Sequence, residues 1–302
     1  MELHQFRYFL AVAQFRSFTR AAEHQHVAQP SLSQQIRKLE AELGAPLFDR
    51  LGRKIRLTAL GERFQEHAQR VLRDLENARR EADEILGVAH GRVAVGVIPT
   101  VAPFLLPCAL TAFARAYPEI TVRVTEDLTQ ALLHRLGEGE IDLALLSLPV
   151  KGAEYVALPL VKDRMLLAVP THHALCRRRR GHVILREIVH EPFLLLKDGH
   201  CFRDDVLQVC KLSRLNPHVA FEGGQFDTLV AMVAAGAGIT LLPEMSRAHY
   251  RHAGVRLLEF APPEPTRTIG TVRLKGKYLT RATKAFVEVL KETCPGDGKA
   301  KG

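Results

Sequence analysis

The feature that most constrains this chain is a set of seven apolar residues, Phe64, Ala68, Val71, Leu75, Ala78, Ala82 and Ile85, spaced 4-3-4-3-4-3. That is the a/d stripe of a coiled coil, set in a stretch with few helix breakers, so residues 59–87 read as one long helix. Two different patterns flank it. Residues 1–58 read as short helices ending in a small hairpin. From Gly91 onward, apolar strand-like runs alternate with helical segments, which indicates α/β architecture. Such a stripe either packs on its own chain or pairs with a second copy. Its place between two domains favours pairing, so a homodimer is expected.

The chain has 302 residues, 47% of them hydrophobic, enough for two or three domains with real cores. The expected division is 1–58 for a first, helical domain, 59–90 for a linker helix and hinge, and 91–302 for a third region. Only the final "CPGDGKAKG" reads as a loose tail. No basic stretch followed by a long apolar run opens the sequence, so no signal peptide is read. The longest apolar region, "TLVAMVAAGAGITLLP", is split by Gly236 and Gly238 and reads as helix, turn and strand rather than a membrane span. A cytoplasmic protein without membrane contact is expected, with its thiols reduced by default. Five cysteines without CxxC spacing indicate neither a disulfide framework nor a zinc ribbon, and no metal or cofactor is expected.

Net charge is +9, which permits a polyanionic partner without establishing one. Residues 1–90 hold 14 Lys and Arg against 12 Asp and Glu, a surplus of only +2. The rest lies downstream, helped by the run Arg177–Arg180, which reads as a solvated loop. Charge alone does not identify a nucleic-acid site.

Pattern does. "FRSFTRAAEHQHVAQPSLSQQIRKLEAELG" contains two helices joined by a tight connection. The second, from about Gln29 to Leu43, has Pro30 in its first turn, where a missing N–H costs nothing. Leu32, Ile36, Leu39 and Leu43 make one narrow apolar stripe. The other faces carry Gln29, Ser31, Ser33, Gln34, Arg37 and Lys38. A helix-turn-helix needs this division, one stripe to anchor the helix and polar groups to meet the major groove. Gln suits adenine edges and Arg suits guanine; Ser and Lys suit bases or phosphates. The following "LFDRLGRKIRLT" reads as a wing that offers Arg50, Arg53 and Lys54 to phosphates or to the adjacent minor groove. Double-stranded DNA is the expected partner.

The segment "FLAVAQFRSFTRAAEHQHVAQPSLSQQIRKLEAELGAPLFDRLGRKIRLTALGE" resembles the amino-terminal signature of LysR-type transcriptional regulators, and the resemblance extends over essentially the whole length. It implies a winged helix-turn-helix, a linker helix making antiparallel dimer contacts, and an effector domain like a periplasmic binding protein. It also implies dimers of dimers on promoters, with RNA polymerase as a further partner. One departure is Ala28, where many relatives place a capping Ser; the loss of that cap costs roughly 0.5–2 kcal/mol.

In the third region, "RVAVGVI", "ITVRVTE", "IDLALLSL", "MLLAVP", "FLLLK" and "GITLLP" read as strands. Chain crossings near Leu160 and Arg267 would split the region into two subdomains, one of about 91–160 plus 268–302 and one of about 161–267. A cleft between two such subdomains suits a small molecule.

"DGHCFRDDVLQVC" then places Cys201 where a strand gives way to a helix, and Cys210 in apolar company nine residues on. A thiol at a helix amino terminus feels the positive end of the macrodipole, and His200 and Arg203 are expected to add positive charge that favours the thiolate. Nine helical residues separate Cα atoms by roughly 13–14 Å and turn about 900°, putting the two side chains on opposite faces. A disulfide needs Cα atoms about 4.4–6.8 Å apart, so it cannot form while the helix is intact. Two unrelated cysteines, one in the core and one incidental, are the plain alternative.

This stretch resembles the redox motif of the OxyR peroxide-sensing branch of the family, in the spacing of the cysteines and the preceding His. "VIPTVAPFLLP", "FDTLVAMVAAGAGITLLP" and "PEPTRTIGTV" resemble that branch too. The resemblance implies that Cys201 is oxidised first, to sulfenic acid, that Cys210 condenses with it, and that hydrogen peroxide is the signal. It implies that Thr100 and Thr129 orient peroxide, with His200 and Arg267 around the reactive sulfur. Phe202 and Val209 depart from that branch's pattern. Rival expectations are a LysR-type regulator that answers a metabolite in the cleft, a thiol peroxidase using Cys201, and a solute-binding transport protein. The last would need an export signal, and an enzyme needs no helix-turn-helix.

Overall fold

The computed structural model describes residues 1–51, 54–85, 91–177, 182–212 and 217–293. The chain divides into two units, Met1–Ala89 and His90–Gly302.

The first unit is α1 (Leu3–Phe15), α2 (Phe18–His24), α3 (Gln29–Leu43), β1 (Phe48–Leu51), β2 (Lys54–Leu57) and α4 (Ala59–Ile85). Ser17 caps α2 by accepting from the Arg20 N–H at 3.3 Å. No side chain caps α3 at Ala28, as the sequence led us to expect, and Gly44 ends that helix in the left-handed region, φ 75°. Glu40 Oε1 accepts from the Leu47 and Phe48 N–H groups at 2.8 and 3.2 Å, which ties the start of the hairpin back to α3. Strands β1 and β2 pair antiparallel from Phe48↔Leu57 to Leu51↔Lys54. A Cβ at Gly61 would sit 2.2 Å from the Leu47 carbonyl oxygen, so only glycine lets α4 pass this close to the hairpin. Phe6, Phe9, Phe48 and Phe64 meet at the centre, Phe6 stacked on Phe64 and Phe9 edge-on to Phe64 and tilted against Phe48, with ring centroids 5.1–5.4 Å apart.

The coiled-coil stripe divides along α4. Phe64 and Ala68 are buried in the core of their own unit, whereas Val71, Ala78 and Ala82 are exposed on the single chain. The first turns of the stripe therefore anchor the helix to its own domain. Only the later turns are open to a partner.

In the second unit, β3 (Arg92–Val97), α5 (Ala102–Ala116), β4 (Thr121–Glu126), α6 (Thr129–Glu138) and β5 (Leu143–Leu148) lead into the long strand β6 (Tyr155–Pro170). There follow β7 (His182–Val183), β8 (Pro192–Leu196), α7 (Cys201–Leu212), β9 (His218–Gly223), α8 (Phe226–Ala234), β10 (Thr240–Pro243), β11 (Val255–Phe260), β12 (Thr266–Leu274) and α9 (Arg281–Thr293). The strands run in the order β4-β3-β5-β12-β6-β11-β7, with β10 also on β6. Strands β8 and β9 form a separate parallel pair, bridged to the residue before β10 by Phe193↔Ile239.

Strand β6 changes partners midway. Residues Tyr155–Arg164 pair with β12, and Met165–Pro170 pair with β10 and β11. Two hydrophobic cores result. One is built on β3, β5, α5, α6 and α9, with Phe113 and Phe286 at its centre; the other is built on the end of β6, on β8, β10 and β11, and on α7 and α8. The expected helix–turn–strand over 228–243 is α8, a turn through Gly236 and Gly238, and β10. Among the described residues, no helix is long and apolar enough to cross a membrane.

Candidate functional site

On α3, Leu32, Ile36 and Leu39 are fully buried and Leu43 packs at the core's edge. Gln29, Pro30, Ser31, Gln34, Arg37 and Lys38 are exposed and Ser33 is half-buried. The Arg37 Nε–H donates to the Ser33 carbonyl at 3.4 Å, which holds its guanidinium along the outer face. Arg50 belongs to β1 opposite Ile55. Arg53, with Gly52, lies outside the described residues, so the hairpin tip is not described. The helix presents one continuous polar surface, as a major-groove reader requires.

In the second unit, Gly199 (φ 92°) turns the chain after β8 and delivers His200 and Cys201 to the start of α7. The helix then divides its side chains between the two cores. Cys201 packs against the first core, while Phe202, Val206 and Cys210 belong to the second. Both thiols are free, and the unbroken helix Cys201–Leu212 turns the two cysteines toward different cores.

The expected electrostatics do not hold. Burial is the largest influence on Cys201 and pushes its thiol up, not down. His200 is buried, and burial followed by the Lys197 charge pulls its pKa below 6.5, so at neutral pH it carries no positive charge. Arg203 is turned away: its Nη1 donates to the Leu196 carbonyl at 2.9 Å and to Glu222 at 2.7 Å. Cys210 is pushed up to about 11 by burial and stays a thiol.

The groups that do favour a Cys201 thiolate come from other elements. They are the Arg267 charge, the Thr129 side chain and a backbone hydrogen bond from Ser147. Thr129 is the first residue of α6; its Oγ1 is buried and meets no partner at full hydrogen-bond geometry, although it lies near the Cys201 sulfur.

Arg267 is the hub. Its side chain is 1% exposed and lies directly across from Asp163 in the β6–β12 ladder. Its Nε donates to Asp163 Oδ2 at 3.0 Å, Nη1 to Thr100 Oγ1 at 3.0 Å, and Nη2 to the Thr100 carbonyl at 3.0 Å. Its Cζ stands 4.8 Å from the Phe202 ring centroid. Asp163 also accepts from the Met245 N–H at 3.1 Å. One guanidinium thus joins β12, β6, the turn before α5, and α7. Accepting from Arg267 leaves the Thr100 hydroxyl proton available to donate.

A cleft of about 410 Å³ is bordered by Thr100, His200, Phe104, Phe226, Asp227 and Tyr250, while Cys201 does not border it. The structure therefore brings Thr100, Thr129, Arg267 and Cys201 around one network and turns His200 toward the cleft.

Sequence reasoning missed Asp163, Asp205 and Ser147. Ser147 donates to Asp205 Oδ2 at 3.0 Å. Two signals could have found them: Asp205 is one helical turn after Cys201, and Ser147 is the lone hydroxyl in an otherwise apolar strand. Among the described residues, no group of three or more His, Cys, Asp or Glu is placed to hold a metal ion.

Residues 3–62 match the family described as bacterial regulatory helix-turn-helix protein, lysR family, and residues 87–295 match the LysR substrate binding domain. A hydrogen peroxide-inducible genes activator of Pectobacterium carotovorum subsp. carotovorum is 36% identical over 297 residues, covering 98% of each chain. The DNA-binding transcriptional dual regulator OxyR of Escherichia coli (strain K12) is 35% identical over 297 residues, covering 98% of this chain and 97% of its own. Among solved structures, a cysteine-to-aspartate variant of full-length OxyR from Pseudomonas aeruginosa superposes with a TM-score of 0.78 at 30% identity, covering 97% of this chain and 96% of that one.

Proposed function

The chain belongs to the LysR family of DNA-binding transcriptional regulators, which are not enzymes, and from that premise we propose that it senses hydrogen peroxide through Cys201 and Cys210. The observation that carries this reading is the setting of Cys201, beside Thr129 and the Arg267–Thr100 pair, at the head of a helix that buries Cys210 in a different core. Two relatives that match over nearly the full length bear names tied to peroxide or to OxyR, which supports it.

The chemistry balances. Cys201, as thiolate, attacks one peroxide oxygen; the O–O bond breaks, sulfur is oxidised to sulfenic acid, and the leaving hydroxide takes a proton to become water. The Arg267 charge and the Thr100 and Thr129 hydroxyls suit the charge that develops on the departing oxygen. The Cys210 thiol then attacks the sulfenic sulfur, a disulfide forms, and a second water leaves. Helical spacing of about 13–14 Å forbids that bond until α7 unwinds and Cys210 leaves the second core. The disulfide therefore acts as a conformational switch, changing how the DNA-binding units engage an operator or RNA polymerase.

In this reading α3 enters the major groove of the operator, with Gln29, Pro30, Ser31, Ser33, Gln34, Arg37 and Lys38 along its face, and Arg50 and Arg53 of the hairpin reach phosphates. The exposed turns of α4 pair two copies, and dimers of dimers form on cytoplasmic DNA. The test is thiol mapping by mass spectrometry after brief, near-stoichiometric peroxide treatment of the reduced protein. A fast Cys201–Cys210 linkage reversed by reductant is expected, with sulfenic acid trapped in Cys210→Ser and nothing formed in Cys201→Ser. If both thiols stay free while the protein still binds DNA, the reading is wrong.

The cleft favours a second reading, a metabolite effector. A metabolite response survives Cys201→Ser, whereas a peroxide response does not.

A further inference from the structure

We propose that Asp205 is an electrostatic brake on Cys201, a carboxylate placed to oppose the thiolate and so to set how much peroxide the sensor requires. The consequence for sensing rests on the peroxide reading above; the geometry does not. Cys201 and Asp205 are four residues apart on α7 and stack on the same helix face. Ser147 of β5 holds both, with a backbone hydrogen bond to Cys201 and its hydroxyl on Asp205 Oδ2 at 3.0 Å.

The charges around the sulfur can be counted. Arg267 from β12 supplies one positive charge that favours the thiolate, and Asp163 from β6 pairs with that guanidinium at 3.0 Å. Asp205 adds a second carboxylate, and Asp204, next to it on α7, stands behind it. His200, just before the helix, is uncharged at neutral pH, and Thr129 from α6 and Ser147 from β5 bring only neutral dipoles. At this half-buried sulfur the Arg267 guanidinium favours the thiolate and the Asp205 carboxylate opposes it, so a second negative charge beside Asp205 is disfavoured. Burial also raises the Asp205 carboxyl, so as pH rises through its titration the carboxylate forms and the brake engages. As pH falls, the brake is released.

The experiment uses reduced full-length protein, native and with Asp205→Asn or Asp205→Ala, and follows iodoacetamide alkylation of the Cys201 peptide against pH. Both variants are expected to move the midpoint down by about one unit, roughly tenfold faster alkylation at neutral pH. Oxidation by limiting peroxide is expected to speed up in the same proportion. The native profile is expected to rise less steeply than a single titration where Asp205 ionises, a readout that needs no variant to fold. A native profile that follows one simple titration, or a midpoint unchanged or raised in both folded variants, overturns the brake. If the midpoint falls as expected but peroxide oxidises Cys201 in none of the proteins, the brake stands and the peroxide reading falls.

Discussion

Helices α3 and α7 are of similar length and both carry the residues on which function is proposed to turn, yet they are held in opposite ways. Helix α3 buries a single stripe, Leu32, Ile36 and Leu39, and keeps Gln29, Ser31, Gln34, Arg37 and Lys38 exposed. Helix α7 is gripped on two sides, with Cys201 against one core and Phe202, Val206 and Cys210 inside another. The difference teaches where each can act. A polar group on α3 can meet a ligand without disturbing the fold. A disulfide joining the two ends of α7 cannot form unless the fold gives way.

The largest test of that contrast removes the hub beside α7. Arg267→Ala strands Asp163 in the interior without its cation, and breaking a buried pair in this way costs about 3–5 kcal/mol. Denaturant unfolding is expected to show the second unit losing its midpoint while the first keeps its own. An unchanged midpoint would mean that α7 is not held from both sides.

Next in size is a change on the open helix. Arg37→Ala is expected to leave stability within about 0.5 kcal/mol, because the side chain is exposed, and to weaken discrimination of the operator by about 1–3 kcal/mol in a binding titration. Stability loss with unchanged binding would reverse the assignment of that face.

Ala28→Ser supplies the missing cap of α3, and a gain of about 1 kcal/mol is expected in unfolding of the first unit. The smallest effect concerns pH. Burial holds the His200 pKa below its unfolded value of about 6.5, so on acidification the unfolded chain takes up the proton first. The stability His200 contributes is full above about pH 6.5 and is lost as pH falls through the folded value. Asp163 and Asp205, both raised by burial, act in the opposite sense, so the informative quantity is native protein minus His200→Asn across the acid range. A difference that does not vary with pH would show that His200 is not buried neutral.

The same contrast explains what could be read from sequence. Helix α3 was legible because each residue's exposure follows from its angle about a single axis. The opposed faces of the two cysteines were legible for the same reason. Periodicity did not reveal the environment of Cys201, because Asp163 and Ser147 arrive from strands distant in the chain; Arg267 was expected there only from the resemblance. In "YVALPLVKDRMLLAVP" the apolar strand pattern starts only at Met165, after three consecutive charged residues. The structure runs β6 straight through them: Asp163 is answered by Arg267, and Arg164 by Glu244 at 2.5 Å and by Glu264 at 3.3 Å. Partners far along the chain make a charged stretch acceptable in a sheet, and periodicity does not reveal partners. Helix α4 shows the limit of a repeat, since an unbroken heptad stripe conceals a change from self-packing at Phe64 to exposure at Val71.

The burial of Cys210 has a consequence for how such a regulator changes over generations. If the chain senses peroxide as proposed and its switch requires Cys210 to leave its core, the oxidant dose that triggers it depends on the packing of Phe202, Val206 and their neighbours as much as on the reactive sulfur. Enlarging or trimming one of those apolar side chains would shift the dose–response curve while every reacting atom stayed in place. Under that reading, selection at different oxidant levels would retune the response through conservative substitutions in a hydrophobic core.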